Sequence, residues 1–211
     1  MTRVSPATMI PPSYSMVREV AGLHICVYCS SSSAVAEAHR EAARDLGRLI
    51  GTGGHSLVYG GAQVGLMGEL ARAVKTAGGR VIGVLPRLFK EHDGLVYAKA
   101  DEIIETESMA ERKAIMAQRG EAFIALPGGF GTLEELLEVM TLKQLGYLRG
   151  PIVIVNTAGF YEHLLAHFEH LYQQRFAKPA YRQLYHVSEC PANAMDYVTH
   201  YAEPQMPLKW F

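Results

Sequence analysis

Cysteine is scarce in this sequence, with three among 211 residues. An odd count cannot close a full set of disulfides, which argues against a small secreted disulfide scaffold. Cys26 and Cys29 do form a CxxC in "HICVYC". They fall inside a strand pattern, however, whereas a redox pair belongs at the start of a helix. No second cysteine pair completes a zinc site, so buried, reduced thiols are expected. An excess of one charge is also missing: 20 Lys and Arg face 21 Asp and Glu, for a formal net charge of −1. That balance gives no global pull toward nucleic acid or an anionic membrane, so neither is expected as a partner. An anionic ligand must then be held by local geometry. No apolar run is long enough to span a bilayer. The N-terminal stretch "MTRVSPATMIPPSYSMVREVAG" has no apolar core followed by a small-residue cleavage site, so a signal peptide is not expected. Its prolines and serines predict a loose tail over residues 1–22. The expected location is the cytoplasm.

What is present is an ordinary globular composition, 49% hydrophobic and 19% charged. Strand and helix patterns alternate from residue 24 onward. "HICVYC", "HSLVYGG", "RVIGVLP", "DEIIET", "EAFIALPGG" and "PIVIVN" read as strands, with a last short one in "LYHVS". Amphipathic helical stretches lie between them. The strands are short and rich in Val and Ile, as strands covered on both faces are. Helical crossovers of this length imply a mostly parallel sheet in an α/β fold, with ligands beyond the carboxyl ends of the strands. No repeat or linker interrupts the pattern. A single domain over residues 23–203 is expected, with a C-terminal tail over 204–211.

Two strands end in glycine-rich turns that open helices. One is "YGGAQVGLMGE", with Gly60 and Gly61. The other is "ALPGGFGTLEEL", with Gly128, Gly129 and Gly131. Free N–H groups and the positive end of the helix dipole make each a site for phosphate. The pattern GxxxxGK[ST] is absent. GxGxxG starts at Gly129 and Gly131 but meets Glu134 where its third glycine belongs, so a dinucleotide is disfavoured. A monophosphate with an exposed sugar fits better, with phosphate on the N–H groups and carboxylate toward the sugar. A purely local reading competes. Thr132 and Glu135 have capping-box spacing, which makes Thr132 the N-cap and Glu135 its reciprocal partner. In the helix that follows, Leu133, Leu136, Leu137 and Met140 form the stripe expected to face the sheet. Val139 and Leu142 fall on another side, near the face of Glu135. A helix apolar on two sides is covered twice, which predicts a homodimer interface along it.

In "SMAERKAIMAQR", Ser108 and Glu111 form a second capping box. Arg112 and Lys113 stand where apolar residues are expected, and their charge opposes the dipole of the first turns. Two local rules broken together point to a functional site; a solvated surface pair is the plainer alternative.

Taken together, "YGGAQVGLMG", "ERKAIM" and "LPGGFGTLEEL" resemble the Lonely Guy family, cytokinin riboside 5′-monophosphate phosphoribohydrolases often mislabelled lysine decarboxylases. The resemblance runs from "HICVYCSSS" through "NTAGFYEHLL". It implies a Rossmann-like three-layer sandwich, usually a dimer, with no metal or organic cofactor. The activity it implies is cleavage of the N-glycosidic bond of a purine nucleoside 5′-monophosphate. It also implies Arg112 and Glu135 as the catalytic pair and Gly128, Gly129, Gly131 and Thr132 as the binding loop. Departures are "MAERK" for "MHERK", "CSSS" for "CGSS", "YGGA" for "YGGG", and Leu142 in place of an aromatic. A family acid has its nearest counterpart in Glu91, at a different spacing.

The chemistry of the residues agrees. Breaking an N-glycosidic bond builds positive charge on the ribose, which a placed carboxylate stabilises while orienting water. Glu135 is the first candidate for that role and Glu134 the second. Arg112 can grip ribose or phosphate but is a poor base, and Lys113 suits the phosphate. Three rivals share these residues. The first is a non-catalytic nucleotide or phosphorylated-cofactor carrier. The second is a pyridoxal phosphate decarboxylase, which needs a Schiff-base lysine. The third is a metalloenzyme using His163, His167 and His170 of "HLLAHFEH", which lacks the expected carboxylate partners.

Overall fold

The computed structural model describes residues 22–90 and 94–205. The expected N-terminal tail up to residue 21, residues 206–211 of the C-terminal tail, and Glu91 lie outside the described residues. The strands are β1 (His24–Tyr28), β2 (Ser56–Tyr59), β3 (Arg80–Pro86), β4 (Glu102–Thr106), β5 (Ala122–Ala125), β6 (Ile152–Val155) and β7 (His186–Ser188). They form one seven-stranded sheet in the order β4-β3-β2-β1-β5-β6-β7, and every neighbouring pair is parallel. The helices are α1 (Glu37–Thr52), α2 (Gly65–Thr76), the single turn α3 (Arg87–Lys90), α4 (Met109–Arg119), α5 (Phe130–Gln144), α6 (Glu162–Gln173) and α7 (Pro191–Thr199).

Strand β1 shows why the sheet is buried on both faces. Side chains alternate across a strand. Ile25 and Val27 accordingly join a core with Leu46, Leu70 and Val198 of α1, α2 and α7. Cys26 and Tyr28 join the opposite core with Met116, Leu136 and Phe168 of α4, α5 and α6. Each large side chain removed from water this way contributes about 1.5–3 kcal/mol relative to exposure. The CxxC is divided between the two cores: Cys26 belongs to one and Cys29 to the other. Both are free thiols. Burial pushes the Cys26 thiol up to about 12 and raises that of Cys29 further.

The chain runs outward from β1 to β4, then returns to pair β5 on the other side of β1. The direction of winding therefore reverses between β1 and β5, and the loops leaving these strands diverge into a crevice at their carboxyl ends.

Helix α1 starts only at Glu37, because the Ser30 and Ser32 hydroxyls accept the N–H groups of Ser32 and Ala34 and hold the preceding stretch in turns. Between β3 and β4 the chain holds the turn α3 and a bridge from Val96 to Ala62. Helix α5 starts at Phe130 with Gly129 as N-cap, three residues before the expected N-cap Thr132.

Candidate active site

The crevice between β1 and β5 is a cleft of about 440 Å³, lined by residues 29–32 after β1, Met67 of α2, Arg112 of α4, and residues 129–132 and Glu135 of α5. Two other surface grooves are somewhat larger, at about 550 and 540 Å³. Chemistry, not size, singles out the smaller one.

At its floor lies a buried ion pair. Arg112 Nη1 donates to Glu135 Oε1 at 3.0 Å, and both residues are only 6% exposed. Arg112 Nε donates to the carbonyl of Val84 near the end of β3, at 2.9 Å. The guanidinium is thus held from two sides across three elements. Gly60 makes room for it: a Cβ at residue 60 would overlap Arg112 Nη2. Burial raises the Glu135 carboxyl above its ordinary range, while Arg112, and behind it Lys113, pull it down. A buried carboxylate is tolerated only when paired, and Arg112 supplies that pairing.

Above the pair, α5 opens directly off β5. Its N-cap is Gly129, no side chain caps it, and its first-turn N–H groups have no intrahelical partner. Thr132 is buried against Gly128, where a Cβ would overlap its hydroxyl and methyl. Gly129 and Gly131 differ. A Cβ on either would meet nothing within 4 Å, and neither has positive φ. Gly131 is the second residue of the helix, and its backbone needs no glycine freedom. Nothing in the chain requires glycine at these two positions.

The capping-box reading of Thr132 and Glu135 is overturned. Thr132 is the third helical residue, and Glu135 turns inward to Arg112. The second capping box is half formed: Ser108 Oγ accepts from the N–H of Glu111 at 3.1 Å, but Glu111 accepts from the N–H of Glu107, one residue before the N-cap. The apolar stripe of α5 is also rephased. Glu135, Leu136, Val139, Met140 and Lys143 are buried, whereas Leu137 is 43% exposed.

Other candidates fall outside the cleft lining. Lys113 is held by Glu134 at 2.5 Å and Glu138 at 3.4 Å between α4 and α5. The hydrogen bond that Lys113 donates to Glu134 raises the lysine's pKa. Gly60 and Gly61 lie beneath Arg112 and β3, not at the surface of the cleft. His163, His167 and His170 are exposed on α6, and among the described residues no group of three side chains is placed to hold a metal. Sequence reasoning missed Ser30, Ser31, Ser32 and Met67. Their signal was a run of serines leaving an apolar strand, legible only once β1 is known to be central.

A wholly parallel α/β sheet with a glycine loop and a buried acid–arginine pair at its switch point defines a Rossmann-like protein with a small-ligand site. Residues 67–198 match the family model described as "Possible lysine decarboxylase". The probable cytokinin riboside 5′-monophosphate phosphoribohydrolase LOGL9 of Oryza sativa subsp. japonica is 45% identical over 163 residues, 76% of this chain and 70% of its own. The cytokinin riboside 5′-monophosphate phosphoribohydrolase LOG5 of Arabidopsis thaliana is 44% identical over the same shares. Among solved structures, the molybdenum cofactor carrier protein of Chlamydomonas reinhardtii superposes with TM-score 0.66 at 28% identity, over 84% of this chain and 96% of that one. The molybdenum cofactor binding protein of Rippkaea orientalis, 21% identical with TM-score 0.65 over 84% of this chain and 96% of its own, shares the fold. The chain belongs to the Lonely Guy family, whose model carries the lysine decarboxylase description.

That description has no support in the cleft. A pyridoxal phosphate enzyme needs a lysine to form a Schiff base, and none stands among the described residues lining the cleft. Among the described residues, no helix is long and apolar enough to cross a membrane.

Proposed function

We propose that this protein hydrolyses the N-glycosidic bond of purine nucleoside 5′-monophosphates, AMP and its N6-modified cytokinin forms, releasing free base and ribose 5-phosphate. The observation that carries the reading is the buried Arg112–Glu135 pair, 3.0 Å apart beneath an uncapped glycine-rich helix start.

The 5′-phosphate sits on the first-turn N–H groups of α5, with Gly129 and Gly131 leaving space for it and Thr132 and Ser30 to Ser32 offering hydroxyls. The ribose then lies over Glu135. As the base departs, positive charge grows at C1′ and the ring oxygen, and the carboxylate of Glu135 stabilises it and orients the attacking water. Arg112 keeps that carboxylate ionised in spite of burial and fixes its direction. Binding energy from the phosphate positions the sugar, so it is used at a distance from the bond that breaks. Glu134 and Lys113 act outside the cleft, bracing α4 against α5. No cofactor enters these steps.

The working form is proposed to be a homodimer that covers the outer face of α5, where Leu137 is exposed and Leu133 and Leu142 are half-buried. Buried free thiols suit a reducing compartment, and the cytoplasm is the proposed location.

Incubation with AMP and with N6-isopentenyl AMP, followed by chromatography, tests the activity. Equimolar free base and ribose 5-phosphate are expected. Tight nucleotide binding without any base released would instead make the protein a carrier.

A further inference from the structure

The polar end of the cleft accounts for phosphate and ribose but leaves the base unheld. Only Cys29, Met67 and Phe130 bring apolar side chains to the lining. Cys29 is 1% exposed and gives no surface. Met67 comes from α2, on one layer of the sandwich, and its terminal methyl lies against Gly60, where the Arg112 guanidinium also lies. Phe130 comes from α5, on the other layer, and is 92% exposed, the most exposed large hydrophobic side chain among the described residues. The chain covers almost none of this ring. The two glycines beside it carry no side chains to shield it, and both face open space.

We propose that Phe130 and Met67 form the clamp for the purine base, one from each layer, with Phe130 setting how tightly the base is held. The inference rests on the nucleotide reading above. A purine is flat and nearly neutral, so what holds it is apolar contact on its two faces. A thioether packs well against an aromatic ring, and a phenyl ring stacks on any base without reading its edge. Such a clamp is open at its rim, because Phe130 is anchored only by the start of α5. Substituents on the exocyclic nitrogen are therefore accommodated. Stacking on the intact nucleotide and on the departing base is alike, so it strengthens ground state and transition state together. The clamp then acts on KM and leaves kcat alone.

The test uses calorimetry with two probes. The first is carbocyclic AMP, in which a methylene replaces the ring oxygen so that no oxocarbenium ion can form. The second is ribose 5-phosphate, which has no base. Phe130→Ala is expected to weaken carbocyclic AMP about tenfold or more, the range seen when a stacking aromatic is removed, and to leave ribose 5-phosphate unchanged. Phe130→Tyr restores affinity, and Met67→Ala gives a smaller loss of the same kind. In turnover of AMP, Phe130→Ala raises KM at constant kcat. Equal weakening of both probes would overturn the clamp, since the ring would then be shaping the phosphate loop or a subunit contact. Unchanged affinity for carbocyclic AMP would overturn it too. Base release by the wild-type protein does not enter the titration, so the clamp and the hydrolase reading fail separately.

Discussion

The chain builds the same local motif twice, a strand running into a glycine-rich turn and a helix, and fills the two copies differently. After β2, the turn is occupied by the protein itself. Gly60 yields to the Arg112 guanidinium, Gly65 adopts φ +58° against the backbone of Ser31, and the N–H of Met67 donates to the carbonyl of Ser30. After β5, the turn faces the cleft, its helix is uncapped, and Gly129 and Gly131 border empty space. A glycine-rich helix start can serve an anion only where the rest of the chain leaves it open. The first turn supports the site from below by housing the arginine. The second is where the phosphate is proposed to meet the backbone.

The largest expected effect comes from the residue that joins the two turns. Arg112→Ala leaves Glu135 buried and unpaired, a loss that costs about 3–5 kcal/mol of stability in such pairs. Turnover falls with it, because the carboxylate loses both its orientation and the charge that keeps it ionised. Denaturant unfolding and base release on one preparation check the two losses together.

Glycine substitutions sharpen the contrast. Gly60→Ala drives its methyl into Arg112, so both stability and turnover should fall. Gly131→Ala should do the opposite to the fold: it removes a glycine of ordinary φ from the first turn of α5 and stabilises by up to about 1 kcal/mol. It nevertheless weakens nucleotide binding, because the methyl enters the space proposed for phosphate. Melting temperature and AMP affinity measured side by side distinguish the two turns. A Gly131→Ala variant with unchanged affinity would remove the phosphate from α5.

pH gives a smaller handle on the same pair. Because burial raises the Glu135 carboxyl, kcat should fall on the acid side with a midpoint above 4.5, the usual carboxylate value. The native state then holds a proton that the unfolded chain releases. This group alone makes stability decline as pH rises from the unfolded toward the folded pKa.

The opposite end of α5 supplies an independent control. Lys143 is 4% exposed, donates to the Tyr201 hydroxyl at 2.9 Å, and has its pKa lowered to about 8 by burial. The unfolded chain binds more protons between pH 8 and 10.5, so Lys143 makes stability rise with pH across that window. Lys143→Met should abolish the rise, read as melting temperature against pH, without changing turnover.

Legibility divides along range. The order of strands and helices was readable because short Val- and Ile-rich strands and amphipathic helices are local patterns. β3 matches its expected span residue for residue, and Ser108 caps α4 as its spacing implies. The roles within α5 were not readable in the same way. Thr132 and Glu135 satisfy a local capping rule, and only the fold brings Arg112, 23 residues earlier, within 3.0 Å of Glu135. The buried charges at Glu135 and Lys143 also mislead a stripe drawn from apolar residues alone, which is why Val139 was placed on the outer side and Leu137 on the inner. Lys113 illustrates the reverse: adjacent in sequence to Arg112, it turns to Glu134 and Glu138 on the outside of the same helix. Ser30 to Ser32 became visible as site residues only through the reversal of winding beside β1.

The most direct test of the central claim is base release from AMP by Glu135→Gln. The amide keeps the shape and a hydrogen-bond acceptor for Arg112 but loses the charge that meets the oxocarbenium ion. The account predicts a folded protein that still binds carbocyclic AMP and has kcat reduced about a hundredfold or more, the range typical of a catalytic carboxylate. A folded Glu135→Gln protein that releases base at near wild-type rate would contradict it.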